Sequence, residues 1–264
     1  MAFSRCEERR FSSPFRGGAA REAIRGLARD PLRFRSLQFL ADRTLGIGWA
    51  ERTRILQAHY RASAHLPSPH TSDEILTFVR EILTIPSDRE GCVVEAGCFK
   101  GSSTAKFSIA ASLTGRRLIV CDSFRGLPAF DEAHGMSIEN RQIVFNEGDF
   151  AGALAEVRAN IDRFGDLAPC SFVEGWFDDS LRSWNQPIAA IYLDVDLASS
   201  TRACLKYLYP WLVPGGVLYS QDGHIPLVLE VFEDDTFWRN DVGFARPSVE
   251  GIWQRKLIKL RKPG

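Results

Sequence analysis

The chain has 264 residues, of which 45% are hydrophobic and 11% aromatic, and its 33 basic and 33 acidic side chains balance to zero net charge. This composition is typical of one large or two small folded domains and excludes a disordered chain. Zero net charge argues against attraction of nucleic acid by the whole surface. No stretch approaches the roughly 20 apolar residues of a membrane span.

Two further features concern the compartment. No apolar run follows the first residues, so we expect no secretory signal peptide. The six cysteines lack a CxxC motif or a zinc-like pairing, and we interpret them as small core residues in a reducing cytoplasm. They are Cys6, Cys92, Cys98, Cys121, Cys170 and Cys204.

The charge is distributed unevenly along the chain. Residues 1–66 contain 13 arginines, no lysine and 6 acidic residues, a formal charge of +7, so the remainder carries −7. We therefore predict a basic helical arm or lid over residues 1–70, with a broken helix pair at 36–62, and a main domain over 71–264. Such an arm can dock on the acidic body, on a partner subunit or on an anionic surface. A solvated, arginine-rich helix pair is an equally good interpretation.

The first clear element is a helix over about 72–84. Thr71 and Glu74 have the spacing of a capping box, and apolar residues repeat on one face from Ile75 to Ile82. From residue 91 onward short apolar runs alternate with helical patterns. Predicted strands lie near 92–95, 118–122, 170–174, 189–194, 217–220, 242–246 and 251–260. Predicted helices lie over about 102–113, from Asp149 to Gly165, over 200–212 and from Pro226 onward.

Alternating strands and helices imply parallel pairing with right-handed crossovers. We predict an α/β fold with a doubly wound, mostly parallel sheet of about seven strands and an N-terminal helical extension. Ligands of such sheets bind beyond the carboxyl ends of the strands. The segment 124–147 has little periodicity and is too long for an ordinary connection, so it is either functional or mobile.

The end of the first strand carries an acid followed by glycines, Glu95-Ala96-Gly97 and then Gly101. Glycines let the backbone turn sharply and approach a ligand. The spacing is neither the GxGxxG of dinucleotide sites nor a P-loop, and an acid at this place suits a ligand with an amine and hydroxyls. Asp122, 27 residues after Glu95, can accept two ribose hydroxyls or cap a turn. Together the two features point to a nucleoside, although a plain strand–turn–helix is the alternative.

Carboxylates also follow the fourth and fifth strands. Asp194 and Asp222 are expected to face one cleft, and with the amide oxygen of Gln221 they offer hard ligands suited to Mg²⁺. For Asp196 a helix cap is the favoured interpretation. His224 can act as a general base, but a site-lining or structural role is favoured for it. After the third strand, Gly175, Trp176 and Phe177 can flank a flat base or start a helix with its aromatics in the core.

Taken together, these segments resemble class I S-adenosylmethionine-dependent methyltransferases, and more narrowly the macrocin O-methyltransferase family, which methylates sugar hydroxyls of natural products. The resemblance covers about residues 70–260. It rests on EAGCFKGSS (95–103), DSFRGLP (122–128), GWFDDSL (175–181), LDVDLASST (193–201) and YPWLVPGG (209–216), with GIWQRK (251–256) similar to the family's last strand.

The resemblance implies a role for each matched position around S-adenosyl-L-methionine. Residues that would hold or adjoin its methionine part are Glu95, Gly97, Gly101, Ser102 and Ser103. Residues that would adjoin its ribose and adenine are Asp122, Ser123, Gly175, Trp176 and Phe177.

The resemblance also implies a metal site. Asp194 would be a metal ligand and a candidate general base, and Asp222 a second ligand. The family usually shows two adjacent acids after the fifth strand, whereas this chain has Gln221-Asp222. Mg²⁺ would therefore bind more weakly, bind through Gln221 and water, or be absent.

We accordingly predict an O-methyltransferase in which Asp194 or His224 takes the proton from a hydroxyl of a sugar, a sugar-bearing natural product or a glycan. The segment 124–147 and the arm would cover this acceptor. A non-catalytic S-adenosylmethionine-binding or regulatory protein of the same fold is the alternative, and the missing GxGxxG disfavours a nicotinamide-dependent oxidoreductase. We also expect a homo-oligomer that binds no nucleic acid.

Overall fold

The computed structural model describes residues 17–264, and the predictions for Cys6 and the first part of the arm lie outside this range. Ten α-helices lie in the described part. They are α1 (Gly17–Arg29), α2 (Arg33–Ala41), α3 (Trp49–His65), α4 (Ser72–Thr84), α5 (Ser102–Leu113), α6 (Leu154–Phe164), α7 (Phe177–Ser180), α8 (Ala198–Leu208), α9 (Pro226–Glu233) and α10 (Asp235–Phe237). The strands are β1 (Cys92–Ala96), β2 (Leu118–Asp122), β3 (Cys170–Glu174), β4 (Ile188–Leu193), β5 (Leu212–Ser220), β6 (Val249–Glu250) and β7 (Ile258–Arg261).

The seven strands form one sheet in the order β3-β2-β1-β4-β5-β7-β6. Strands β1 to β5 are parallel, whereas β7 pairs antiparallel with both β5 and β6. This arrangement confirms the predicted doubly wound, mostly parallel sheet. The strand order reverses between β1 and β4, so the loops that follow these two strands diverge and leave a crevice at the carboxyl edge of the sheet.

Hydrophobic cores cover both faces of the sheet. On β1, Val93 faces one core and Val94 the other, because successive side chains of a strand point to opposite faces. The core on the Val93 face includes Phe78 of α4 and Phe107 of α5. It also includes Phe39 of α2 and Ile55 of α3, so the described part of the N-terminal segment shares this core with the sheet.

The helix α4 begins as predicted. The Thr71 hydroxyl accepts a hydrogen bond from the backbone N–H of Glu74, and the Glu74 carboxylate accepts one from the backbone N–H of Thr71. This reciprocal pair satisfies two N–H groups that a helix otherwise leaves unpaired. It also fixes the direction in which the chain enters α4 from residues 67–70.

Three predicted boundaries are wrong. The helix expected from Asp149 begins at Leu154, because Asp149 instead accepts a hydrogen bond from the backbone N–H of Asn146 and Phe150 has a φ of 61°. The helix expected to reach residue 212 ends at Leu208. The fifth strand begins at Leu212 instead of near 217. Its pairing with β4 shifts register between Leu212 and Val217, and Pro214-Gly215-Gly216 lie in this irregular stretch.

The last two strands are also shifted. A helical turn, Trp238–Val242, occupies the start of the segment predicted as strand 242–246, and the strand forms at Val249–Glu250. Turns occupy residues 251–254, so the final strand is limited to Ile258–Arg261. None of the helices in residues 17–264 combines the length and apolar character needed to cross a bilayer.

Candidate active site

A cavity of about 430 Å³ lies at the carboxyl edge of the sheet, where the strand order reverses. This is the size of pocket that encloses a small ligand or cofactor. We call its two sides the β1–β3 half (Gly97, Ser102, Ser103, Asp122, Ser123, Trp176 and Phe177) and the β4–β5 half (His70, Asp194, Asp196, Asp222, His224 and Lys256). Phe145 and Phe150 also line it.

Most predicted site residues line this cavity, but four do not. The predicted residues that line it are Gly97, Ser102, Ser103, Asp122, Ser123, Trp176, Phe177, Asp194, Asp222 and His224. The predicted residues absent from its lining are Glu95, Gly101, Gly175 and Gln221. Sequence reasoning missed His70 and Lys256 and assigned Asp196 a different role.

The turn after β1 requires glycine at residue 97. Gly97 has a φ of 83°, and a Cβ added there would lie 1.9 Å from the backbone oxygen of Asp194. Such a contact is far inside the van der Waals limit, so the loops that follow β1 and β4 can meet only where the side chain is a hydrogen atom. Gly97 therefore joins the two halves of the cavity.

Asp122 connects the turns after β1 and β2. Its Oδ2 accepts a hydrogen bond from the backbone N–H of Cys98 at 2.7 Å, and its Oδ1 accepts one from the N–H of Phe124 at 2.8 Å. Burial raises the pKa of Asp122, and the two N–H groups partly offset this effect. Each carboxylate oxygen retains a lone pair, so the group can still accept hydrogen bonds from a ligand.

Glu95 lies behind the β1–β3 half, fully buried on the same face of β1 as Val93. Neither its carboxyl oxygens nor the Nζ of buried Lys106 on α5 has a hydrogen-bond partner among residues 17–264. Burial raises the pKa of Glu95 to about 8 and lowers that of Lys106 to about 7. The predicted contact of Glu95 with a ligand stays a prediction.

Gly101 and Gly175 serve the packing of the turns in which they lie. A Cβ on Gly101 would lie 3.1 Å from Cγ1 of Val157, at the contact between α5 and α6. Gly175 has a φ of 138°, and a Cβ there would lie 3.1 Å from Cβ of Ser180. In contrast, the buried Ser102 hydroxyl in the cavity wall has no hydrogen-bond partner in the described part of the chain, which fits a polar ligand on this side.

In the β4–β5 half, Asp194 forms a hydrogen bond with a residue from far away in the sequence. The Nε2 of His70, which precedes α4, lies 2.9 Å from Oδ2 of Asp194. Burial by itself raises the pKa of Asp194, but the charge and hydrogen bond of His70, together with Lys256, outweigh burial and hold it below its ordinary value. No local sequence pattern marks His70 as a partner of Asp194.

Asp222 and Asp196 form the rest of an acidic cluster. The Oδ2 of Asp222 accepts hydrogen bonds from the backbone N–H groups of Val195 (2.9 Å) and Asp196 (3.1 Å). Its buried Oδ1 has no partner among the described side chains and backbone groups. Burial and the neighbouring carboxylates raise the pKa values of both Asp196 and Asp222.

The cap expected from Asp196 comes from another residue. Leu197 occupies the N-cap position of α8, without a side-chain hydrogen bond, while Asp196 has a φ of 61° and lines the cavity. The carboxylate of Glu132 accepts hydrogen bonds at 2.8 Å from the backbone N–H groups of Ala198 and Ser199 in the first turn of α8. The interpretation of Asp196 as a cap was therefore wrong.

The segment 124–147 is attached to the cavity at two points. One is Glu132 on α8, and the other is the backbone N–H of Ile138, which donates to the backbone oxygen of His224 at 3.0 Å. Leu127 and Phe145 of the same segment line the cavity. The segment thus helps to form the site, which agrees with the functional interpretation of its length.

His224 and Lys256 complete the β4–β5 half. Burial and the charge of Lys256 lower the pKa of His224, so its imidazole is neutral at pH 7. Its buried Nδ1 has no partner among residues 17–264. The ammonium group of Lys256 donates to the backbone oxygen of Pro69 at 3.4 Å, and this contact links the last turn before β7 to the segment that carries His70.

The predicted Mg²⁺ site is not assembled by these residues. Gln221 is 1% exposed, and its Oε1 accepts a hydrogen bond from the Tyr192 hydroxyl at 2.9 Å, away from the cavity lining. One oxygen of Asp194 and one of Asp222 already accept N–H groups. Asp194, Asp196 and Asp222 line one cavity, but no three His, Cys, Asp or Glu side chains of the described residues are grouped so that they could hold one metal ion. The donor set therefore does not fit Mg²⁺.

The fold and the position of the cavity define a Rossmann-like protein of the class I methyltransferase type. Two solved structures share this fold. The O-methyltransferase NovP is 24% identical, with a TM-score of 0.57 over 73% of this chain and 79% of that chain. CalS11, a calicheamicin methyltransferase, is 18% identical, with a TM-score of 0.55 over 95% of this chain and 93% of that chain.

Sequence comparison identifies the family. The profile of the macrocin-O-methyltransferase (TylF) family matches residues 73–246, and the chain belongs to this family. A curated relative from Streptomyces olivaceus, 8-demethyl-8-(2,3-dimethoxy-alpha-L-rhamnosyl)-tetracenomycin-C 4'-O-methyltransferase, is 35% identical over 166 residues. That match spans 61% of this chain and 62% of the relative. The resemblance seen in the sequence is thereby confirmed.

Proposed function

We propose that this protein transfers a methyl group from S-adenosyl-L-methionine to a hydroxyl of a sugar or of a sugar-bearing small molecule. Family membership supports the reaction, and the relative from Streptomyces olivaceus is named for methylation of a rhamnosyl group. The observation that carries the proposal is one cavity with two kinds of wall. One wall has a glycine turn and Asp122, and the other has a cluster of three carboxylates.

The β1–β3 half would hold the cofactor. The backbone at Gly97 and the unpaired hydroxyl of Ser102 would contact the methionine part, with Ser103 alongside. Asp122 would accept hydrogen bonds from the ribose hydroxyls, with Ser123 next to it, because its oxygens keep free lone pairs. Trp176, which is partly exposed in the wall, and Phe177 offer aromatic surface to the adenine.

The β4–β5 half would act on the acceptor. The bound cofactor supplies a methyl carbon made electrophilic by its sulfonium. As the acceptor oxygen bonded to this carbon, the carbon–sulfur bond would break with its electron pair left on sulfur, and the hydroxyl proton would pass to a side chain of this half. Asp194, which is ionised at pH 7, and His224, which is neutral there, are the proposed proton acceptors. Holding the hydroxyl in line with the methyl group contributes roughly 7–11 kcal/mol in well-oriented systems.

The location and assembly of the protein belong to the same proposal. A reducing cytoplasm is supported by the five described cysteines, all of which are free thiols. A homo-oligomer and the lack of nucleic-acid binding stay predictions from the sequence. The boundary between an arm (1–70) and a catalytic domain (71–264) is likewise kept as a proposal, although both parts contribute to the cavity wall.

A non-catalytic, S-adenosylmethionine-binding regulatory protein is the second candidate. The observation that favours it is the orientation of Gln221, which bonds to Tyr192 and leaves the expected metal site incomplete. The two candidates share the cofactor and differ in turnover. Methyl transfer to any acceptor therefore separates them.

Thermal unfolding and radiolabelled methyl transfer test the proposal. S-adenosylmethionine and S-adenosylhomocysteine should raise the melting temperature, because a ligand that binds only the folded state stabilises it, and NAD should not. Label should then pass to rhamnosides or other glycosides offered as a panel. A shift with NAD alone would overturn the proposal, and cofactor binding without transfer to any glycoside would favour the regulatory candidate.

A further inference from the structure

We propose that His70 is a positioning residue of the methyl-transfer site, which orients Asp194 through the Nε2–H···Oδ2 hydrogen bond at the place where the family resemblance predicted a metal ion. The inference rests on the proposed function and concerns a residue outside the matched motifs. His70 also lies just outside the span of the family match, residues 73–246.

The hydrogen bonds around His70 are consistent with one tautomer. Its Nδ1 lies 3.2 Å from the hydroxyl of Ser68, which can donate to it, and its Nε2 lies 2.9 Å from Oδ2 of Asp194, which can only accept while ionised. A ring with its proton on Nε2 satisfies both contacts. The side chain of His70 is 4% exposed, whereas that of Asp194 is 20% exposed. A nearly buried donor thus holds a carboxylate that stays accessible from the cavity.

Three contacts fix the place of the imidazole. The capping box of α4 begins at Thr71, the residue after His70, and sets the direction of the backbone there. The ring packs edge-on against Tyr192, with the centroids 6.1 Å apart. Lys256 donates to the backbone oxygen of Pro69, the residue before His70. The imidazole of His70 is therefore positioned by the start of α4, by Tyr192 of β4 and by the turn before β7.

The same contacts explain what His70 does for Asp194. Its hydrogen bond occupies Oδ2 and restricts the carboxylate, which leaves Oδ1 for the acceptor hydroxyl. A cation bound at Asp194 would have only Oδ1 free to hold it, and it would lie near the positive charge of Lys256. Gln221, the third expected ligand, accepts a hydrogen bond from the Tyr192 hydroxyl instead. The N–H donor of His70 thus takes the orienting role that a metal ligand set would have taken.

Steady-state kinetics with a matched set of variants test this role. His70→Ala should lower kcat roughly 10–100-fold, which is typical of lost positioning, with the KM for S-adenosylmethionine unchanged. His70→Gln should recover most of kcat, because its amide N–H reaches nearly as far as Nε2. His65→Ala is the control, since His65 is exposed on α3 and pairs with Glu22. An unchanged kcat in His70→Ala, or a His70→Gln variant no better than alanine, would overturn the proposal.

Two measurements without turnover keep the inference separate from the proposed function. In ¹⁵N-labelled protein, nuclear magnetic resonance of the imidazole should show His70 as the Nε2–H tautomer, and Asp194→Ala should shift that proton signal. Titration with Mn²⁺ followed by electron paramagnetic resonance should show no stoichiometric site. One bound Mn²⁺ that Asp194→Ala removes would contradict the inference. Failure to methylate any glycoside would instead contradict the proposed function and leave these two results valid.

Discussion

The two halves of the cavity are built in different ways. In the β1–β3 half, the central carboxylate of Asp122 is held by the N–H groups of Cys98 and Phe124, which belong to the turns that directly follow β1 and β2. In the β4–β5 half, the carboxylates of Asp194, Asp196 and Asp222 are brought together with His70 and Lys256, so that parts of the chain 124 residues apart meet in one hydrogen bond.

Under the proposed function, this difference separates cofactor binding from reactivity. In the β1–β3 half, backbone N–H groups hold Asp122 in place, so this carboxylate is preformed for a ligand. In the β4–β5 half, burial and the neighbouring like charges raise the pKa values of Asp196 and Asp222, while His70 keeps that of Asp194 low. Such a spread of pKa values is typical of a place where protons move.

The largest expected effect tests whether the β4–β5 half is the reactive one. Asp194→Asn should lower kcat by roughly 10²–10⁴-fold, the range found when a general base is removed, and leave the affinity for S-adenosylmethionine within about threefold. The control is Asp179→Asn, because Asp179 is 79% exposed in its side chain. Steady-state kinetics and isothermal titration calorimetry measure the two quantities. Full turnover in Asp194→Asn would show that this carboxylate is neither base nor essential ligand.

The next effect concerns the close contact between the two halves at Gly97. Gly97→Ala should destabilise the fold by roughly 3–5 kcal/mol, because the new Cβ would lie 1.9 Å from the Asp194 backbone oxygen and must displace it. Gly115→Ala is the matched control. Gly115 also has a positive φ, of 65°, but has nothing within 4 Å of an added Cβ, so only the strain of about 1 kcal/mol remains. Urea unfolding measures both, and equal losses would refute the close-contact explanation.

A third variant sharpens the comparison at the back of the β1–β3 half. Lys106→Met should stabilise the protein by about 1–3 kcal/mol at pH 7, because it replaces a buried, unpartnered amine with an apolar side chain of similar length. In the folded protein the pKa of Lys106 is lowered from 10.5 to about 7. Above pH 10.5 the amine is neutral in both states and does not lower the free energy of unfolding. As the pH falls towards 7, it destabilises the fold progressively, because the unfolded chain binds the proton more readily.

The gain from Lys106→Met should therefore be largest near pH 7 and shrink as the pH approaches 10. Urea unfolding at pH 7, 8.5 and 10 measures this slope. Lys100→Met, at a partly exposed position in the turn before α5, is the control variant. If the free energies of unfolding of Lys106→Met and the wild type differ by the same amount at all three pH values, the amine is charged in both the folded and the unfolded state.

The smallest effect concerns the segment that covers the cavity. Glu132→Gln should weaken the attachment of 124–147 to α8 by about 0.5–2 kcal/mol, since a charged cap at a helix N-terminus contributes about that much. The KM for the glycoside should rise a few fold, while the KM for S-adenosylmethionine should change little. Hydrogen exchange should become faster within 124–147. Glu147→Gln, at an exposed position of the same segment, is the control, and equal exchange in both variants would contradict the attachment.

Local features were predictable because they depend on neighbours in the chain. The spacing of Thr71 and Glu74 predicted the start of α4, and the apolar runs predicted β1 to β4 within a residue or two. The alternation of strands and helices predicted the sheet, and the family motifs led to most of the cavity lining. Errors appeared at Asp149 and in the last two strands, where turns and a π-helical segment override the apolar pattern.

The sequence by itself therefore determined the class of fold, the edge of the sheet that carries the cavity, and most residues of its β1–β3 half, because apolar runs and glycine turns mark the strand ends within short segments. Only the tertiary structure decided that His70 meets Asp194, that Gln221 turns to Tyr192 and that Lys256 lies by Pro69. Those contacts depend on how α4, the central strands and the C-terminal turn pack against one another. The spacing of residues within one segment does not predict contacts between segments that are distant in the sequence, because only the packing of the core brings those segments together.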